Sequence, residues 1–184
     1  MRKVNIQWPK DREKLLQLEA GDQVLISGTI YTARDAAHKR MVEDLEEGKS
    51  MPIPIQNQII YYAGPCPAKP GEVIGSVGPT TSGRMDRYAP KLLDLGLSAM
   101  IGKGDRDRQV IDSMKKNGAV YLAAVGGAGA LLQACVKSAK VVGYDELGTE
   151  AIRELLVEEF PATVVIDAQG NNLYQREKEK YKTI

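Results

Sequence analysis

The chain is poor in the side chains from which metal and redox centres are built. It has two cysteines, Cys66 and Cys135, and one histidine, His38, among 184 residues. Neither CxxC nor HExxH occurs, so this chain alone offers no Cys-rich or zincin-type metal centre. No apolar run reaches the length of a membrane span. The polar stretch Met1 to Lys14 lacks a signal-peptide core. Two distant cysteines without a secretion signal point to reduced thiols in a cytoplasm. Charge of one sign is also missing: 25 basic residues face 24 acidic ones. That balance excludes a general attraction to nucleic acid or to a membrane surface. At this length one compact domain over residues 1–184 is expected, with a short N-terminal extension and a charged tail from about Gln175.

What is present falls into two halves. Met1–Gln7 and Gln23–Tyr31 read as strands, and Lys10–Leu18 has helical spacing. Thr32 is a plausible N-cap for a helix running to about Glu47, with Asp35 at N3, Ala37, Met41 and Leu45 on one face, and Gly48 as its stop. Residues 50–79 hold six of the nine prolines. Asn57–Ala63 there reads as a strand, Gly64–Gly71 as a rigid connection and Glu72–Val77 as another strand. From Met85 onward, helical and strand patterns alternate. Helices are expected at Met85–Leu95, Arg106–Asn117, Leu131–Lys137 and Thr149–Phe160. Strands are expected at Ser98–Ile101, Ala119–Val125, Ala139–Gly143 and Ala162–Asp167. The whole predicts a layered α/β domain.

The most unusual stretch is Val77-Gly78-Pro79-Thr80-Thr81-Ser82-Gly83-Arg84-Met85-Asp86. Glycine and proline fix an uncommon backbone path around three successive hydroxyls. Hydroxyls and N–H groups at a helix start suit an anion, and Arg84 adds a fork shaped for a carboxylate or phosphate. The plainer alternative is a capped strand–turn–helix corner. Gly102-Lys103-Gly104 leaves a strand end, where ligands bind in α/β sheets, although its spacing is not that of a Walker loop. Lys103 is either an anion-binding lysine or a turn residue. Arg34 falls in a helix's first turn, where the dipole disfavours a cation, and is either functional or solvated. His38 reads as structural. Gly127-Ala128-Gly129 begins like a dinucleotide fingerprint, but Leu132 stands where the third glycine belongs; close helix–sheet packing is the simpler reading.

Taken in order, five stretches resemble one family. They are Ser27–Arg40 (SGTIYTARDAAHKR), Tyr61–Pro67 (YYAGPCP), Gly78–Asp86 (GPTTSGRMD), Gly102–Gly104 and Ala124–Ala128. The resemblance is to the β subunit, or C-terminal domain, of class I iron–sulfur fumarases and L(+)-tartrate dehydratases, and it covers about residues 20–170.

The resemblance implies a three-layer swivelling β/β/α domain. It implies that the other subunit, or an N-terminal domain, holds a [4Fe–4S] cluster through three cysteines, with none from this chain; for a bare β part the partner would be a cluster-bearing α subunit in an α2β2 heterotetramer. One iron of the cluster would stay open to the substrate's hydroxyl and a carboxylate. By motif, Arg34, Arg84 and Lys103 match residues that hold the dicarboxylate, Thr81 supports them, and Thr80 matches the threonine proposed as base. The implied reaction is reversible dehydration of (S)-malate to fumarate. The alternatives are tartrate to oxaloacetate on the same fold and, from a different class, a stand-alone nucleotide-binding module.

Overall fold

The computed structural model describes residues 2–125 and 127–182. Among the described residues there are seven strands and six α-helices, mostly in alternation. The first part contains β1 (Lys3–Trp8), α1 (Arg12–Leu15), β2 (Gln23–Thr32), α2 (Asp35–Glu46) and β3 (Ile59–Tyr61). A 3-10 turn at Ser82–Met85 leads to α3 (Ala89–Asp94), β4 (Ala99–Gly102), α4 (Arg108–Asn117) and β5 (Val120–Ala123). Then come α5 (Gly129–Ala134), β6 (Val136–Gly143), a 3-10 segment at Asp145–Glu150, β7 (Ile152–Ile166) and α6 (Leu173–Lys180). Among the described residues no helix is long and apolar enough to cross a membrane.

Strands β2, β3, β4 and β5 run parallel in that order, with β1 parallel to the first half of β2. The long β7 runs antiparallel to both β2 and β5, so pairing returns to its starting strand. Strand β6 extends the antiparallel part beyond β7. Alternation along the parallel strands feeds two separate cores. Ile59, Tyr61, Ala99, Ile101, Val120 and Leu122 face the β7 side, where they meet Leu155, Val157, Phe160 and Val164. Ile60, Tyr62, Met100 and Tyr121 face the helices, packing with Met41, Leu92, Leu93, Val110 and Met114. Each large side chain so buried contributes roughly 1.5–3 kcal/mol.

Four expectations are corrected. Thr149–Phe160 is not an α-helix: Thr149 and Glu150 end the 3-10 segment, and Ile152–Phe160 is the first part of β7. Its apparent three-residue spacing is a strand alternation broken by a bulge. Glu158 and Glu159 together oppose the single Ser27, and Glu159 adopts φ 50°. Glu72–Val77 forms no strand, because both edges of β3 are taken by β2 and β4. Its backbone groups find other partners: Cys66 N–H donates to Ser76 O (2.9 Å), Val77 N–H to Gly129 O (3.3 Å) and Tyr61 Oη to Val77 O (2.5 Å). Met85–Leu95 is divided, with Pro90 in the first turn of α3 rather than inside one helix. The charged tail, whose expectation stands apart from these, carries α6 through Lys180, started by Asn172, whose side chain accepts from Tyr174 N–H (2.9 Å). The start of α2 is also shifted: Arg34 is the N-cap, and Thr32 is the last residue of β2.

Candidate active site

The parallel strands all end at one edge, and the residues singled out by sequence sit there. Lys103 follows the last residue of β4 directly, and Arg34 lies two residues beyond β2. The Thr80–Ser82 segment is laid across the strand ends by three backbone bonds. Thr80 N–H donates to Tyr62 O (2.7 Å), Lys103 N–H to Thr80 O (3.3 Å) and Ser82 N–H to Lys103 O (2.8 Å). Thr81 and Lys103 thereby form a parallel bridge. This brings together the two motifs that the chain separates by about twenty residues. Thr81 is exposed and Thr80 half-buried.

Arg84 reaches across to Asp35, with which it forms an ion pair. That contact places the 3-10 turn beside the start of α2 and therefore beside Arg34. Arg34 lies against the loop after β3, so close that a side chain on Gly64 would meet its Cδ at 2.7 Å. Its nearest carboxylate is Glu150, with Nε to Oε1 3.8 Å apart. That is too long for a hydrogen bond, and Arg34 Nε is buried without a hydrogen-bond partner. Among the described residues, four of the six buried side-chain atoms without a hydrogen-bond partner belong to Thr32, Arg34, Asp35 and His38, all at the start of α2. Lys103 is exposed, and no ion pair engages its ammonium among the described residues.

His38 has the structural setting expected of it. It is fully buried, Nδ1 lies 2.8 Å from Arg34 O, and its ring stands edge-on to Tyr62 at 5.2 Å. A carbonyl can only accept, so Nδ1 carries the proton. Burial pushes the imidazole down to about 4, and it is neutral near pH 7.

Sequence reasoning missed the layer beneath these residues. Ser82, the third hydroxyl of the central motif, is fully buried and does not face solvent with Thr81. It contacts Tyr121 Oη at 2.8 Å, and Tyr121 Oη donates to Gly104 O at 2.9 Å. Asp86, which closes the same motif, pairs with Arg106 at 2.6 Å, the Arg106 side chain being wholly buried. Position 102 must be glycine because a Cβ there would overlap Ser82 Oγ. Close approach of the two protein segments, not of a ligand, explains that residue. Helix α4 starts at Arg108 with Asp107 as its cap, leaving Arg106 in the loop before it. A lone buried arginine has no sequence signature; only its partner Asp86, two residues after Arg84, lay inside a motif.

The chemistry available is anion binding. Three cations on three strand-end loops suit a ligand with more than one carboxylate, and two arginines offer planar forks. A metal cluster needing three thiolates does not fit this chain, whose two cysteines lie in separate places: Cys66 exposed in the loop after β3, Cys135 partly buried after α5. The glycine pair Gly127 and Gly129 opens only a six-residue helix, and Gly129 packs so tightly on Ser76 that a Cβ would overlap its hydroxyl. Gly126, which belongs to the same motif, lies outside the described residues.

Comparison with known proteins identifies the family. The model of the family described as "Fumarase C-terminus" matches residues 1–177. The chain is 42% identical over 165 residues to an Escherichia coli K12 protein named "Fumarate hydratase class I, aerobic", covering 89% of this chain and 30% of that protein. It is 39% identical over 178 residues to "Fumarate hydratase 2" of Leishmania major, covering 95% and 31%. A Methanocaldococcus jannaschii protein named "Putative L(+)-tartrate dehydratase subunit beta" is 39% identical over 175 residues, covering 92% of this chain and 90% of that one. The chain thus spans about three-tenths of the fumarate hydratases it matches and nearly all of the β-subunit relative. With a family match over almost its whole length and relatives well above 30% identity, the chain belongs to the fumarase C-terminus family.

Proposed function

We propose that this chain is the β part of a two-component hydro-lyase that interconverts (S)-malate and fumarate. The observation that supports it most is the gathering of Arg34, Arg84 and Lys103 around Thr80 and Thr81 at the C-terminal edge of the parallel strands, with Arg34 Nε still lacking a hydrogen-bond partner. Under this reading the two arginines and the lysine bind the carboxylates. They also stabilise the enolate-like charge that grows when a proton leaves the carbon beside one of them. Thr80 receives that proton, its alkoxide form supported by nearby cations and N–H groups. Thr81 lines the approach.

The cluster-bearing component is a separate α subunit in this reading, in an α2β2 assembly, a choice supported by the β-subunit name of the relative whose length this chain shares. In the same reading residues 1–184 make up one three-layer swivelling β/β/α domain, which the two cores on either face of the parallel strands support, and the assembly works in the cytoplasm. A second reading, tartrate dehydration to oxaloacetate, has its own support: the relative whose length this chain shares bears the tartrate dehydratase β-subunit name. The two substrates differ by one hydroxyl, which the same cations would hold.

Arg84→Ala tests the site. In the reconstituted two-chain enzyme it should raise KM and lower kcat, together reducing kcat/KM on the order of 100-fold, as expected for loss of a charge-assisted fork. Near-normal kcat/KM in that variant would remove Arg84 from the site.

A further inference from the structure

The segment Thr80–Asp86 and the loop bearing Lys103 are joined from below by a buried cluster centred on Arg106. Its guanidinium is fully buried and uses all three nitrogens: Nε donates to Asp86 Oδ1 (2.6 Å), one terminal nitrogen to Tyr62 Oη (3.3 Å) and the other contacts Met100 Sδ (3.3 Å). It also lies over the rings of Tyr62 and Tyr121, 5.3 and 5.0 Å from their centroids. Each partner leads to a different piece of the candidate site. Asp86 ends the turn that bears Arg84, and its second oxygen accepts from Asp107 N–H at 2.8 Å. Tyr62 presents the carbonyl to which Thr80 N–H is tied. Tyr121 Oη must donate to Gly104 O, which has no proton to give, so Ser82 Oγ donates to Tyr121 Oη. One tyrosine thus fastens the lysine loop to the threonine segment.

A buried ion pair of this kind adds little net stability over apolar residues of the same volume; its best-attested use is to select one geometry. We infer that Arg106 is a positioning residue, which through Asp86, Tyr62 and Tyr121 fixes the loops bearing Arg84, Thr80 and Lys103 relative to one another. The inference rests on the proposed function for its catalytic consequence, but not for its structural one.

The test uses two variants of the full chain. Arg106→Met with Asp86→Asn removes the pair without stranding a buried charge, and its new amide can still accept from Asp107 N–H. Arg106→Lys keeps the charge but loses the planar fork. Hydrogen exchange is followed at the amides of Thr80, Ser82 and Lys103, with Met41 of α2 as an internal control. In the complex with the α subunit, kcat and KM for malate are measured. Exchange at the three amides should rise about tenfold in each folded variant, with Met41 unchanged. kcat should fall by on the order of 10–100-fold, more than KM rises, as expected when reacting groups are displaced by about an ångström. Unchanged exchange at those amides, or kcat within twofold of the unsubstituted enzyme, overturns the inference. If the double variant does not fold, Arg106→Lys decides by the same criteria. If the unsubstituted complex turns over neither malate nor tartrate, the proposed function falls separately, and the exchange data alone uphold or overturn the positioning role.

Discussion

His38 is held neutral by burial at a place where its proton has one carbonyl to serve, that of Arg34. The unfolded chain takes up a second imidazole proton near pH 6.5 and the folded protein only near 4. Between those values the unfolded state binds more protons, so stability is intact above about 6.5 and is lost as pH falls toward 4. The loss attributable to this one residue between pH 7.5 and 4.5 is about 2–3 kcal/mol. Denaturant unfolding at both pH values should show His38→Gln losing correspondingly less stability on acidification than the unsubstituted chain. An equal loss in both would mean that His38 titrates normally. The charged and titratable groups nearest it, Asp35 and Arg106, belong to the candidate site and its support, so the residue reports on their integrity. At this scale the sequence was informative about exposed cations and blind to their foundations. Arg84 and Lys103 stood in glycine-bearing motifs, and Arg34 stood at the start of a helix, where a cation is out of place. Arg106 stood in a charged run that reads as solvent-facing, and only the fold buries it.

Between elements, the tightest junction of the site is where the 3-10 turn at Ser82–Met85 meets the end of β4. Gly102→Ala should cost about 1–3 kcal/mol by overpacking against Ser82 Oγ and Tyr62. Adding Ser82→Ala should recover part of that cost, since Tyr121 keeps its acceptor at Gly104. Urea denaturation of the two single variants and the double gives the coupling, and strictly additive costs would show that the two positions do not press on each other. The parallel strands were legible because short β-branched and apolar runs end in glycine or polar turns, as at Ala99–Gly102 and Val120–Ala123. The end of β7 was legible as the strand at Ala162–Asp167, but its first part was not, because a bulge at Glu158 and Glu159 restores the phase of Phe160 after a skipped residue and mimics helical spacing. Nor was the loop at Glu72–Val77. Its residues favour a strand, and only the prior occupation of β3 by two neighbours denies them one.

For the molecule as a whole, near-zero net charge hides a strong local asymmetry. The cations of the candidate site lie on the C-terminal edge of the parallel strands, partly answered by Asp35 and Glu150. None of them lines the groove of about 1040 Å³ bounded by Arg2, Asp22, Thr163, Tyr174 and Arg176 at the opposite end of β2. The exposure of Arg84, Lys103 and Thr81 is what the proposed shared site asks of this chain, which spans only three-tenths of the fumarate hydratases related to it. The most direct measurement is turnover of (S)-malate by this chain and a cysteine-bearing α subunit. The two are co-expressed, the cluster is reconstituted without oxygen, and fumarate absorbance is followed, with L(+)-tartrate in parallel and each chain also assayed alone. The account predicts malate turnover only when both chains are present. Malate turnover by either chain alone, or by neither separately nor together with the cluster and complex verified, would contradict it.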